Sequence, residues 1–216
     1  MIDPMQIDLA SFVRTWHGPA DAAVVKLPPS CDWLPAPLKD WYEFSSQWST
    51  PLMTLKEMKP ADQVAIDCGR AIFLEDFGDQ AWAFDVEDPL VVLERQSTGE
   101  WLRLSEGISE FIVHNVMQES AYMAPYWRSC VEVPDVQLQQ ILAPMNEVAF
   151  GDWFWPRPGH RIFFAEGLVA DIGPAMEDLA PWGIKAGYSE VQIGALNPVS
   201  LTYLREVQGV EWATSE

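Results

Sequence analysis

Basic residues are scarce in this 216-residue chain: 13 Lys and Arg stand against 32 Asp and Glu, a formal net charge of −19. Such a surface repels nucleic acid and anionic lipid, because both are held by cationic patches. It favours basic partners and fast, salt-sensitive association with them; the bland alternative is acidity that serves solubility alone. Cysteine is nearly missing. Cys31, Cys68 and Cys130 are odd in number and widely spaced, which excludes a disulfide framework and a CxxC metal knuckle. His17, His114 and His160 are the only histidines, with none four residues from another and none in an HExxH setting. The chain also lacks GxSxG, GxxxxGK[ST] and GxGxxG. The opening "MIDPMQIDLASFVRTWHG" has no basic stretch followed by an apolar one, and no run nears the roughly 18 apolar residues of a membrane span. The expectation is a soluble cytoplasmic protein with reduced thiols.

Apolar and aromatic residues are plentiful, at 49% and 12%, so there is material for a packed core. Seventeen prolines predict short elements and ordered turns. Leu9, Phe12, Val13 and Trp16 share one helical face, with Asp8 as N-cap. Past the prolines at 28, 29, 35 and 37, a second helix is expected near 36–47. Beyond Leu52 the pattern turns to short strands: "MTLKEM", "RAIFLEDF", "QAWAFDV", "PLVVLERQ" and "EWLRL", the last two joined by "STG". In "AWAFD", Trp82 and Phe84 face one way and Ala81 and Ala83 the other, as in an antiparallel sheet covered on one side. "SEGISEFIVHNVMQESAYM" reads as a helix capped by Ser105, with His114 on its polar side. Further on, "PDVQLQQILAPM" reads as a helix, "HRIFFAEGLVADIG" as a hairpin about Glu166-Gly167, "YSEVQIGAL" as a strand and "PVSLTYLREV" as a closing helix. The predicted fold is α+β: a mostly antiparallel twisted sheet of short strands flanked by helices, with a C-terminal α/β extension.

The order of these pieces carries a resemblance. A Leu-Pro helix entry in "LPPSCDWLPAPLKDWYEF" precedes a sheet containing Trp82, Ala83, Phe84 and Asp85, then Asp88 and Pro89, then Trp101 and the helix start Ser109 to Ile112. This resembles the SUKH superfamily, which includes yeast cell-wall assembly regulators and many bacterial immunity proteins. The likeness covers about residues 27–122. It departs where "FSSQWSTPL" stands in place of the usual Asn-Gly before the sheet. The resemblance implies an N-terminal helical extension over 1–26, a core over 27–128 and an extension over 129–216 packed on that core. It also implies a binding role: immunity proteins of this kind bind a toxin domain, often a nuclease or deaminase, and block it.

Three functional readings follow. The first is a non-enzymatic immunity protein that occludes a basic toxin domain, pairing Glu75, Asp76, Asp79, Glu87 and Asp88 with the cations that hold phosphates. Trp153 and Trp155, beside two prolines in "DWFWPRPGH", are the aromatic anchors, since exposed tryptophans anchor interfaces. The second is an intracellular scaffold or regulator of the same fold. The third is a metal-dependent hydrolase using the acidic loop, because carboxylates suit calcium or magnesium. The acids lack the spacing of a calcium loop, so the expectation is no metal site, no cofactor and no catalytic residue. Trp82 and Trp101 are expected in the core.

Overall fold

The computed structural model describes residues 1–77, 80–96, 98–151, 153, 155–178 and 183–215. The chain is α+β, with two antiparallel sheets. It divides into two compact units, Ile7–Val116 and Met1–Gln6 with Met117–Glu216. The division between Val116 and Met117 falls inside one continuous helix, and the first six residues belong to the unit that holds Met117–Glu216. No helix among the described residues is long and apolar enough to cross a membrane.

The first unit opens with α1, Leu9–His17, where the Asp8 carboxylate accepts from Ser11 N at 3.0 Å. This satisfies one of the amides that a helix start leaves unpaired. Next comes α2, Ala36–Ser45, entered through Pro35 and Pro37, which are compatible with a first turn. Six strands follow: β1 Glu57–Met58, β2 Ile66–Asp67, β3 Arg70–Glu75, β4 Ala81–Asp85, β5 Val91–Arg95 and β6 Trp101–Gly107. The sheet order is β1-β3-β4-β5-β6, with β2 also on β3. Trp82 and Phe84 lie on the inner face with Phe73, and Phe111 of α3 (Ile108–Met123) packs against them, 5.8 Å from Phe73 and 6.2 Å from Trp82. Ser105 is not a helix cap. It lies within β6, which runs through Gly107 directly into α3.

The expected polar side of α3 is not solvated. Every residue from Phe111 to Ala121 is buried, among them His114, Asn115, Gln118, Glu119 and Ser120. Buried polar groups must find partners. His114 Nδ1 lies 2.8 Å from Glu106 Oε1, and Asn115 accepts from the buried Lys56 ammonium at 2.8 Å and donates to Phe111 O at 2.7 Å.

The second unit holds β7 Tyr126–Pro134, β8 Asn146–Glu147, β9 Arg161–Ala165, β10 Leu168–Met176, β11 Ile184–Ala195 and β12 Ala213–Thr214, in the order β12-β7-β11-β10-β9-β8. The β9–β10 hairpin turns at Glu166-Gly167 as its sequence predicts, with Gly167 at φ 72°, in the left-handed region glycine favours. One face of this sheet buries Ala170, Ile172, Val191 and Ile193 with Ile141 of α4 (Asp135–Ile141) and with Leu201 and Leu204. Those last two sit on the closing helix, which is a 3-10 helix over Pro198–Glu206. The other face receives the second half of α3. Gly194 makes this approach possible: a Cβ there would lie 2.5 Å from Ser120 O and 2.7 Å from Ala124 Cβ. Gln192 Nε2 ties the same turn, donating to Ala121 O at 3.0 Å.

Gly194→Ala is therefore expected to destabilise the protein by about 1–3 kcal/mol, the usual cost of overpacking against backbone. Urea denaturation measures it. A variant as stable as the parent would mean that α3 is not seated on that glycine.

Candidate functional site

The acids singled out from sequence do not form one face. Glu75 and Asp76 lie at the β3–β4 turn, Glu87 and Asp88 at the β4–β5 turn. Successive turns of an antiparallel meander fall at opposite ends of the strands. Across the five residues of β4 the two groups stand roughly 15 Å apart. Glu75 is ion-paired with Lys59 at 2.9 Å, and Asp76 accepts from Gln80 N at 3.1 Å, which closes its turn. Asp79 lies outside the described residues. Glu87 and Asp88 are exposed; Glu87 N donates to Asp85 Oδ1 at 2.9 Å, and Asp88 sits 4.0 Å from Arg103. Trp153 is 1% exposed, so it packs the fold and is not available as a surface anchor, while Trp155 is half-buried.

The outer face of the first sheet holds what the sequence reading missed. Arg70, Ala83, Asp85, Leu93, Arg95, Trp101 and Arg103 share this face by strand register. The guanidinium of Arg70 lies 5.7 Å and that of Arg95 5.9 Å from the centroid of the Trp101 ring. Arg70 is on β3, Arg95 on β5 and Trp101 on β6. The two arginines thus come to one ring from the strands on either side of β4, whose outward residues include Ala81 and Ala83. Both alanines are 0% exposed although both point outward. The sheet is thus covered on this face too. Trp101 itself is half-buried and solvent-facing, which corrects its expected place in the core. Each guanidinium on an exposed indole contributes about 0.5–1 kcal/mol. Asp85, Glu87 and Asp88 border the cluster. Tryptophan and arginine with a charged rim is the composition of an interface anchor.

A second polar constellation lies in the other unit. Gly173 pairs with Glu190 of β11, and His160, the residue just before β9, lies against it from the other side. A Cβ at Gly173 would stand 2.3 Å from His160 Nε2, so the imidazole occupies the place of the absent side chain. His160 Nδ1 meets Asp171 Oδ1 at 2.9 Å. Its Nε2 is 3.2 Å from Glu190 Oε1, an ion-pair distance without hydrogen-bond alignment. Gln118 donates to Asp171 Oδ2 at 3.0 Å, and Arg157 is ion-paired with Glu190. Burial opposes charge on His160, but the Asp171 hydrogen bond and the Asp171 and Glu190 carboxylates beside the ring outweigh it and raise its pKa to about 9. Burial, then the Asp171 and Glu190 charges, push the Tyr122 hydroxyl up as well. A ring protonated at neutral pH has no lone pair to act as a general base. The arrangement is an ionic clamp across three strands.

Among the described residues no three His, Cys, Asp or Glu side chains gather to hold a metal ion. Comparison with protein-family models, curated proteins and solved structures finds no match to this chain.

The His160 clamp carries a pH dependence of known sign. Its folded pKa lies above the unfolded value of about 6.5. The stability it contributes is complete below that pH and lost as pH rises through about 9. Urea denaturation from pH 6 to 10 should show this loss, and His160→Asn should flatten it. The imidazole C2 proton should titrate near 9 by NMR; a midpoint near 6.5 would mean the clamp is not formed.

Proposed function

We propose that the chain is a non-enzymatic protein-binding module, of the immunity-protein kind that its SUKH resemblance implies, and that it occludes a basic partner domain. The observation that carries this reading is the Trp101 ring held by Arg70 and Arg95 on a solvent-facing sheet surface of a chain with net charge −19. The acidity steers a basic partner toward the chain, since a summed field raises encounter rates over distances comparable to the Debye length. The Asp85–Asp88 turn then meets the partner's Lys and Arg groups, while the preorganised indole supplies apolar contact. A partner that holds phosphates with those cations is blocked once they are covered.

The same face would serve a scaffold equally well. The chemistry of the partner separates the two: a basic toxin-like domain released by salt supports immunity, and a housekeeping protein at fixed stoichiometry supports the scaffold.

Capture from the native cell with tagged protein at low salt provides the partner. Its association rate should fall at least tenfold between about 50 and 500 mM salt, as electrostatic steering requires. Trp101→Ala should weaken affinity by about 2 kcal/mol or more, the scale of an interface anchor. Circular dichroism and denaturation of the variant separate lost contact from lost fold. A salt-independent rate would remove the electrostatic part of the proposal.

A further inference from the structure

The outer face of the first sheet reverses the charge of the chain around it. The whole sequence sets eight arginines and five lysines against 32 acids. Three of those arginines, Arg70, Arg95 and Arg103, come to this one face by strand register. The carboxylates on the same face are Asp85 and Glu75, and Glu75 is taken by Lys59 at 2.9 Å. Asp88, at the neighbouring turn, stands 4.0 Å from Arg103.

The guanidiniums of Arg70 and Arg95 lie 5.7 and 5.9 Å from the Trp101 centroid, so a surface that covers the ring covers both of them. An indole face attracts a guanidinium but accepts no hydrogen bond from its N–H edge. Asp85 is opposite Arg70 in the ladder, yet among the described residues no ion pair or hydrogen bond holds the Arg70 guanidinium. In the free protein solvent can serve those N–H groups, because Arg70 is only half-buried. Under a bound partner it cannot. A guanidinium sealed without an acceptor is strongly destabilising, and a cation set against it is worse. The group whose two oxygens match the guanidinium fork is a carboxylate.

We propose that the Trp101 face is a receptor for an acidic side chain: an Asp or Glu carboxylate of the partner, bound by Arg70 with Arg95 at the edge of the indole. This deepens the binding reading above and rests on it. The partner is basic where it meets the Asp85–Asp88 turn and carries an acid where it meets Trp101. An interface divided in this way fixes orientation, because a reversed partner would set its acid on Asp88 and its cations on Arg70. It also rejects a uniformly basic protein, which the net charge alone would attract.

NMR titration of the full chain at about 150 mM salt, where long-range repulsion is largely screened, tests this with two terminally blocked tripeptides, Glu-Phe-Glu and Lys-Phe-Lys. Glu-Phe-Glu should shift the Trp101 indole N–H and the Nε–H signals of Arg70 and Arg95 in a saturable way. Lys-Phe-Lys should leave the two arginine signals in place. Arg70→Gln should weaken the acidic peptide about fivefold or more, and Arg70→Lys, which keeps the charge and loses the fork, should recover only part of that. Circular dichroism confirms that the variants fold. No shift at Arg70 and Arg95 with about 20 mM acidic peptide, or equal shifts in the Arg70→Gln protein, would overturn the proposal. Its failure is distinct from failure of the binding reading. A captured partner that leaves Trp101 uncovered, while the acidic peptide still binds, sinks that reading and keeps the receptor. A partner that covers Trp101 with an affinity unchanged by Arg70→Gln keeps that reading and sinks the receptor.

Discussion

Side chains missing from the sheets decide where the large groups of this protein lie. Gly194 admits the backbone of α3 to a distance that a single methyl would forbid, and Gly173 leaves the space that His160 fills. Ala81 and Ala83 are the small, covered outward residues of the strand between Arg70 and Arg95. The physical rule in each case is the same. A sheet surface is a rank of side chains at fixed spacing, so a small residue is a recess, and what settles in it is held by its neighbours. In the clamp those neighbours are Asp171 and Glu190, and on the outer face they are Arg70 and Arg95.

The recesses tie stability and function to separate places. The His160 clamp uses its charges internally, with the imidazole hydrogen-bonded to Asp171 and ion-paired with Glu190 on the next strand, and so offers little to a ligand. The Trp101 cluster uses its charges to hold a ring that solvent still reaches. That difference is why the proposed binding role rests on the outer face of the first sheet and not on the more polar cluster of the second unit. The exposed turn beyond Asp85 adds negative charge beside the ring without neutralising it.

Local pattern made much of the fold legible. The α1 cap, the proline-led α2, the hairpin about Glu166-Gly167 and the antiparallel strands all follow from residues within a few positions of one another. What depends on distant partners was not legible. His114 looked solvated because Glu106, which receives it, lies on a strand and not on the helix face. The 3-10 form of the closing segment over Pro198–Glu206 has no distinct periodic mark in nine residues. The acidic set read as one surface because it is close in sequence, yet meander topology sends alternate turns to opposite ends. Some of the site was within reach. Once the turn at Glu166-Gly167 is fixed, the hairpin count sets His160 against Gly173. Trp101 was assigned to the core by residue type, which overlooked that it shares the outward face with the two alanines.

The central claim is that a partner binds over Trp101. Oxidative footprinting of the tryptophans, with and without the partner captured from the native cell, tests it most directly. Trp33, 41% exposed and packed against Phe84 on the inner face, serves as the internal reference. The account predicts that the partner protects Trp101 and leaves Trp33 reactive. Unchanged oxidation of Trp101 in the complex would contradict it.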